Sequence, residues 1–138
     1  MIAIIRIVGE VNVSGDIADA LSRLRLRKKY SAVLLPETTE LKKLLKKIRN
    51  HVSYGEIKTE TLAKLLAARA RPLEKGKKID AKKILTEIEK KPLSELGLKP
   101  FFRLHPPRGG IDSKKHSGVG KGVLGENKKI NELIERML

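Results

Sequence analysis

Hydrophobic positions change period several times along this chain, and each change marks an element. Residues Ile2 to Val8 form a nearly continuous β-branched run, the pattern of a strand covered on both faces. Arg6 interrupts it, and its long stem is expected on the apolar surface with the head in water. Ser14 stands where a helix cap belongs and Asp16 falls in the first turn. Ile17, Leu21 and Leu24 then recur at helical spacing, with Ala20 on the same side. Ala32 to Leu35 predicts a second buried strand, ended by Pro36. Thr38 or Thr39 opens the next helix, whose Leu41, Leu44, Leu45 and Ile48 make an apolar stripe opposite Lys42, Lys43, Lys46 and Lys47. Val52 to Ile57 alternates and predicts a third strand, with Gly55 read as a bulge or turn.

The first block, residues 1–57, is therefore β-α-β-α-β. Residues 58–98 turn helical: Thr59 caps a helix carrying Leu62, Leu65 and Leu66 that Pro72 ends, and Asp80 caps another carrying Ile84, Leu85 and Ile88. Pro92 stops that one, and Ser94 to Leu98 is expected to add a turn. Residues 99–126 open with a short strand, Phe101 to Leu104, and then lose all apolar periodicity. The adjacent rings of Phe101 and Phe102 point to opposite faces of that strand, and both are expected in the core. Residues 127–138 form a closing helix whose Ile130, Leu133, Ile134 and Met137 must dock on the body.

Charge adds what the pattern leaves out. The chain carries 31 basic and 16 acidic residues, a formal net charge of +15, and such a surplus favours polyanions as partners. No apolar run approaches the ~20 residues of a spanning helix, which weakens the membrane case, and MIAIIRIVGEV is too short and lacks a charged leader for a secretory signal. Cysteine is absent, and His51, His105 and His116 lack zinc-ligand spacing, so no disulfide, metal or other cofactor is expected. Abundant Lys, Arg and Glu with no Gln is the lean of a heat-adapted protein. Aromatic residues make up only 3%, too few for a base-stacking platform, so recognition should rest on phosphates and shape.

Two stretches concentrate the cations. Arg23, Arg25, Arg27, Lys28 and Lys29 crowd the end of the first helix, more than a helix C-terminus needs. From Pro106 onward Arg108, Lys114, Lys115 and Lys121 stand among glycines after Arg103, with Asp112 the one acid and His105 and His116 as further donors. A segment this poor in apolar residues should be mobile alone and take its shape on a partner that supplies negative charge, most simply RNA. Gly118 to Gly122 superficially resembles a phosphate loop, but the Walker pattern requires a glycine at Lys115 and Ser or Thr at Gly122. No motif demands catalysis. The alternatives are a standalone RNA-processing enzyme using His105 and His116, and a basic DNA-packaging protein.

Three stretches carry a resemblance. They are IAIIRIVGEVNVSGDIADALSRLRLRKKYSAVLLPET near the start, HVSYGEI at 51–57, and PFFRLHPPRGG at 100–110 with the Gly-rich basic segment and the closing INELIERM helix. Together they span nearly the whole chain, which resembles the L thirty family of large-subunit ribosomal proteins in its long archaeal and eukaryotic form. Tyr30-Ser31 stands where that family often has Asn-His. The resemblance implies an α+β, ferredoxin-like core with an antiparallel sheet, where the β-α-β units alone would suggest parallel strands by default. It further implies a non-catalytic constituent of the cytoplasmic ribosome, a monomer there, on large-subunit ribosomal RNA near the 5S RNA and beside other ribosomal proteins. Carried onto this chain, Arg25, Arg27, Lys28 and Lys29 form one contact patch. Arg103, His105, Arg108, Lys114, Lys115, His116 and Lys121 form the other.

Overall fold

The computed structural model describes residues 1–9, 13–69, 71–72, 81–88, 90, 95, 98–108, 110, 113–116 and 122–138. Three central strands form as the pattern predicts: β1 (Ile2–Arg6), β2 (Ser31–Leu35) and β3 (Val52–Glu56). Between them run α1 (Gly15–Arg23) and α2 (Thr39–Ile48). After them come α3 (Thr59–Arg69), α4 (Ala81–Glu87), the two-residue β4 (Phe102–Arg103), β5 (Ser113–His116), β6 (Gly122–Glu126) and α5 (Ile130–Met137). The strands lie in the order β4-β2-β1-β3-β6-β5.

β1 lies between β2 and β3 and is antiparallel to both, and β4 adds antiparallel to β2. The fold is α+β, with the antiparallel core that the resemblance implies. β2 and β3, each antiparallel to β1, run parallel to one another across it, so β2-α2-β3 keeps the parallel default with β1 inserted between its strands, and only β1-α1-β2 departs from it. β6 joins β3 in parallel, so the sheet as a whole is mixed.

Alternation along β1 divides the core into two layers. Ile2 and Ile4 pack with Leu21 of α1 and Leu41, Leu45 and Ile48 of α2. Ala3, Ile5 and Ile7 face the other way, onto Leu62, Leu65 and Leu66 of α3 and onto Ile130, Leu133, Ile134 and Met137 of α5. A sheet with helices on both faces favours a central strand apolar on both sides, hence the run from Ile2 to Val8 with Arg6 as its one polar residue. Phe102 is buried in the second layer and Phe101 packs half-buried on the first, as their adjacency in a strand requires.

Several expectations are corrected. Ser14 holds the N-cap position of α1 in extended conformation, but its side chain makes no cap hydrogen bond. Thr38 does cap α2, accepting from the Leu41 N–H at 3.1 Å. Gly55 is neither a bulge nor a turn: it sits in register opposite Ala3, and a Cβ there would lie 2.5 Å from the Asn127 carbonyl oxygen. The glycine admits the start of α5, a constraint that no local pattern carries. Arg6 does not reach water; it is 4% exposed. Two strands, β5 and β6, occupy the stretch where the pattern predicts none. Residues 122–126, counted with the arm, are held by the body, because Leu124 enters the core and Gly125 and Glu126 pair with Ser53 and Tyr54. Asp80 and Ser94, with the turns expected around them, lie outside the described residues.

Candidate nucleic-acid interface

The register places the ends of four strands together. Arg6 pairs with Val52 and Ser31 with Arg103, so β1 and β4 finish where β2 and β3 begin. The loop from α1 to β2 closes over this end. α1 stops in a Schellman motif, with the Leu26 N–H donating to the Leu21 carbonyl at 2.9 Å and the Arg25 N–H to that of Ser22 at 3.0 Å. Leu21 and Leu26, both fully buried, supply the hydrophobic contact that accompanies it.

Arg25 occupies the left-handed position of this motif, φ 63°, where glycine is the usual residue. An L side chain there costs about 1–2 kcal/mol. The side chain is exposed. Arg25→Gly is therefore expected to raise the unfolding midpoint by about 3 °C, read by thermal circular dichroism. A lowered midpoint would show that Arg25 serves the fold instead.

Tyr30 is left-handed as well, φ 64°. It is over-determined: its N–H donates to the Arg6 carbonyl at 2.7 Å and its carbonyl accepts from the Leu104 N–H at 3.0 Å. The Lys29 ammonium lies 5.0 Å from the centre of its ring, a cation–π contact. A position with φ > 0 is also one where asparagine sits easily.

Arg6 holds the loop from below. One guanidinium nitrogen, Nη1, donates to the Leu26 carbonyl at 2.7 Å, Nε donates to Val8 at 3.0 Å, and Nη2 reaches Gly9 at 3.4 Å. Only the planar fork of arginine satisfies several carbonyls at once, which is why a charge is tolerated inside the strand. Beside it, burial and then the Arg6 charge hold the His51 imidazole below its usual range. His51 is thus a neutral structural residue, and its carbonyl accepts the N–H groups of Ile7 and Val8.

The root of the basic arm is pinned to the same end. The His105 and Arg108 N–H groups donate to the carbonyls of Met137 and Arg136, at 2.9 and 3.0 Å, satisfying the last turn of α5. Arg136 returns a bond to the Gly110 carbonyl at 3.0 Å. Arg103 lies 5.7 Å from the Phe101 ring centre.

The fold thus brings Arg25, Arg27, Lys28 and Lys29 together with Arg103, His105 and Arg108, all exposed, at one end of the sheet. Arg136 joins them, a residue the sequence pattern marks only as a cation in a last helical turn. Lys114, Lys115 and His116 lie elsewhere, on β5 at the opposite edge. Five strand spacings separate β4 from β5, roughly 24 Å. Lys121 lies outside the described residues.

The other end of the sheet has a different character. The acidic first turns of α2, α3 and α5 carry Glu40, Glu60 and Glu132. A cavity of about 660 Å³ opens there, with Met1, Ile57, Leu62 and Ile88 along its floor and Glu56 and Lys58 at its rim. That mixed rim gives no preference for an anion. No group of His and acidic side chains able to hold a metal is present among the described residues, and no helix among them is long and apolar enough to cross a membrane.

A split β-α-β sheet with helices on both faces and its cations gathered at one end defines a small basic α+β protein of ferredoxin-like type. Comparison with known proteins is consistent throughout. The profile of the family described as Ribosomal protein L30p/L7e matches residues 2–52. Large ribosomal subunit protein uL30 of Methanococcus maripaludis is 36% identical, over 99% of this chain and 98% of its own. The protein of the same name from Desulfurococcus amylolyticus is 42% identical over 99% and 97%, and that of Haloarcula marismortui 35% over 99% of each. The chain belongs to the L30p/L7e family of ribosomal proteins. These relatives are named as proteins of the large ribosomal subunit and not as enzymes.

Proposed function

We propose that this protein is a structural constituent of the large ribosomal subunit that binds large-subunit ribosomal RNA near the 5S RNA, as a monomer among other ribosomal proteins. The supporting observation is the gathering of two sequence-distant cation clusters at one end of the sheet, joined through Tyr30 and Leu104. Neither cluster contains an acid: none occurs between residues 20 and 36, and none between 96 and 111. Each cation that meets a phosphate releases condensed counterions, so affinity falls with log salt by ~0.7–0.9 per contact. The segment between β4 and β6 takes its final shape on RNA, with its root already set by α5 and its end by β6. His105 and His116 belong to opposite margins of the sheet, which disfavours a shared acid–base site on one phosphate.

Arg103→Ala with Arg108→Ala tests the reading. Filter binding to large-subunit RNA is expected to weaken at least tenfold at moderate salt, with the salt slope reduced by ~1.4–1.8. Thermal unfolding of the free protein should hardly move, because both side chains are exposed. Unchanged affinity, or a large loss of stability, would refute the assignment.

A further inference from the structure

The first residues of the arm carry exposed side chains on a backbone that is tied down. His105, Pro106, Arg108 and Gly110 are exposed, and Pro107 among them is buried. The two prolines fix φ and have no N–H to satisfy. The His105 N–H donates to the Met137 carbonyl at 2.9 Å, the Arg108 N–H to the Arg136 carbonyl at 3.0 Å, and the Gly110 N–H back to the Pro107 carbonyl at 3.0 Å. The last of these bonds closes a turn with Arg108 at its corner. Gly110 leaves that turn at φ 75°, in the left-handed region that glycine enters without strain.

One residue grips both limbs of this turn. Arg136 takes the Arg108 N–H with its carbonyl and donates Nη2 to the Gly110 carbonyl at 3.0 Å. Its footing is firm, because Ile130, Leu133, Ile134 and Met137 are at most 4% exposed and fix α5 on the sheet. A cation near a helix C-terminus is favourable wherever its head points, and a lysine reaching into water would serve the dipole as well. That account leaves out the directed bond to a carbonyl 26 residues away.

Resting on the reading of the strand-end cations as the RNA interface, we infer that Arg136 is a positioning residue for RNA binding. It holds the turn that presents Arg108, and it contributes to affinity through that turn instead of through a phosphate contact of its own. The guanidinium aimed at Gly110 spends its bond inside the protein. A residue ordered beforehand is one that RNA need not order on binding, so the gain is one of preorganisation.

The test is a double-mutant cycle on purified large-subunit ribosomal RNA across a KCl series, with full-length wild type, Arg108→Ala, Arg136→Met and the double variant. Methionine keeps the unbranched stem and the helix propensity while removing both donor and charge. Arg136→Met alone is expected to weaken binding about fivefold, the cost of freeing roughly one residue. In the Arg108→Ala background the same change should weaken it less than about twofold, because the turn then has nothing to present. The salt slope should fall by ~0.7–0.9 in Arg108→Ala and hardly further in the double variant. In the free protein, NMR should show faster exchange of the Gly110 amide in Arg136→Met, with the α5 amides unchanged. Additive losses, with the slope falling by a further ~0.7–0.9, would make Arg136 a phosphate contact in its own right and overturn the inference while the interface stands. Unchanged affinity in Arg136→Met beside a loss in Arg108→Ala overturns it too, as does lost protection along α5, which would show a role in the helix itself. Unchanged affinity in Arg108→Ala defeats the interface reading as well.

Discussion

Gly55→Ala is expected to destabilise the fold by about 3 kcal/mol, at the upper end of what overpacking usually costs. The added Cβ would lie 2.5 Å from the Asn127 carbonyl oxygen and 2.9 Å from Ile130 Cγ2. A flexible side chain could yield, but the nearer atom is backbone, and that backbone is tied down. The Asn127 N–H donates to the Tyr54 carbonyl at 2.7 Å, and its Nδ2 donates to the buried Ser53 hydroxyl at 3.2 Å. Its Oδ1 accepts from the Lys129 N–H at 2.9 Å, and Asn131 next ties α5 to the Lys58 N–H at 2.8 Å. β3 and the entry to α5 therefore move together or part. Urea unfolding followed by circular dichroism should show a lower midpoint with little change in slope. A midpoint within error of wild type would mean that α5 does not approach the sheet this closely. Because the last turn of α5 also holds His105 and Arg108, the same substitution should loosen the root of the arm.

Arg6→Leu should cost about 2–4 kcal/mol and weaken RNA binding at the same time. The leucine fills the apolar part of the site but leaves the Leu26 carbonyl without its donor, and hydrogen bonds to a charged group contribute about 1.5–3 kcal/mol. Removing the buried charge recovers part of that, since a desolvated guanidinium carries its own penalty. The carbonyls of Val8 and Gly9 lose the same partner, so the net effect stays destabilising. Arg6→Lys is not expected to rescue it, because one ammonium cannot fork between these acceptors. A second readout is independent of stability. With the Arg6 charge gone, the His51 imidazole should titrate higher, part of the way to its ordinary range, since burial is the larger cause and remains. An NMR titration of His51 unaffected by the substitution would contradict this placement of Arg6.

Much of the body was legible in the amino-acid order because its signals are local. The leucine stripe of α2 and the stripe Ile130, Leu133, Ile134 and Met137 of α5 each show within a few turns which face is buried. What stayed hidden was long-range. β6 offers only Val123 and Leu124 as apolar residues, too short a run to announce a strand, and it forms because β3 presents an edge to it. Arg6 resembles a surface cation within an apolar run. Its burial depends on three carbonyls, one of them twenty residues away. Arg136 bonds to Gly110 across a gap that no periodicity spans.

The sequence alone determined the type and order of the main elements, the two-sided burial of β1 and the excess of positive charge. Those properties follow from side-chain spacing and composition, which need no knowledge of distant neighbours. Only the tertiary structure decided where the charge is concentrated. Antiparallel register sets Ser31 against Arg103 and the end of α5 against His105 and Arg108, bringing separate basic stretches to one end of the sheet. Strand pairing and helix docking are chosen by the total apolar area they bury, and that sum belongs to the whole chain and to no single stretch of it.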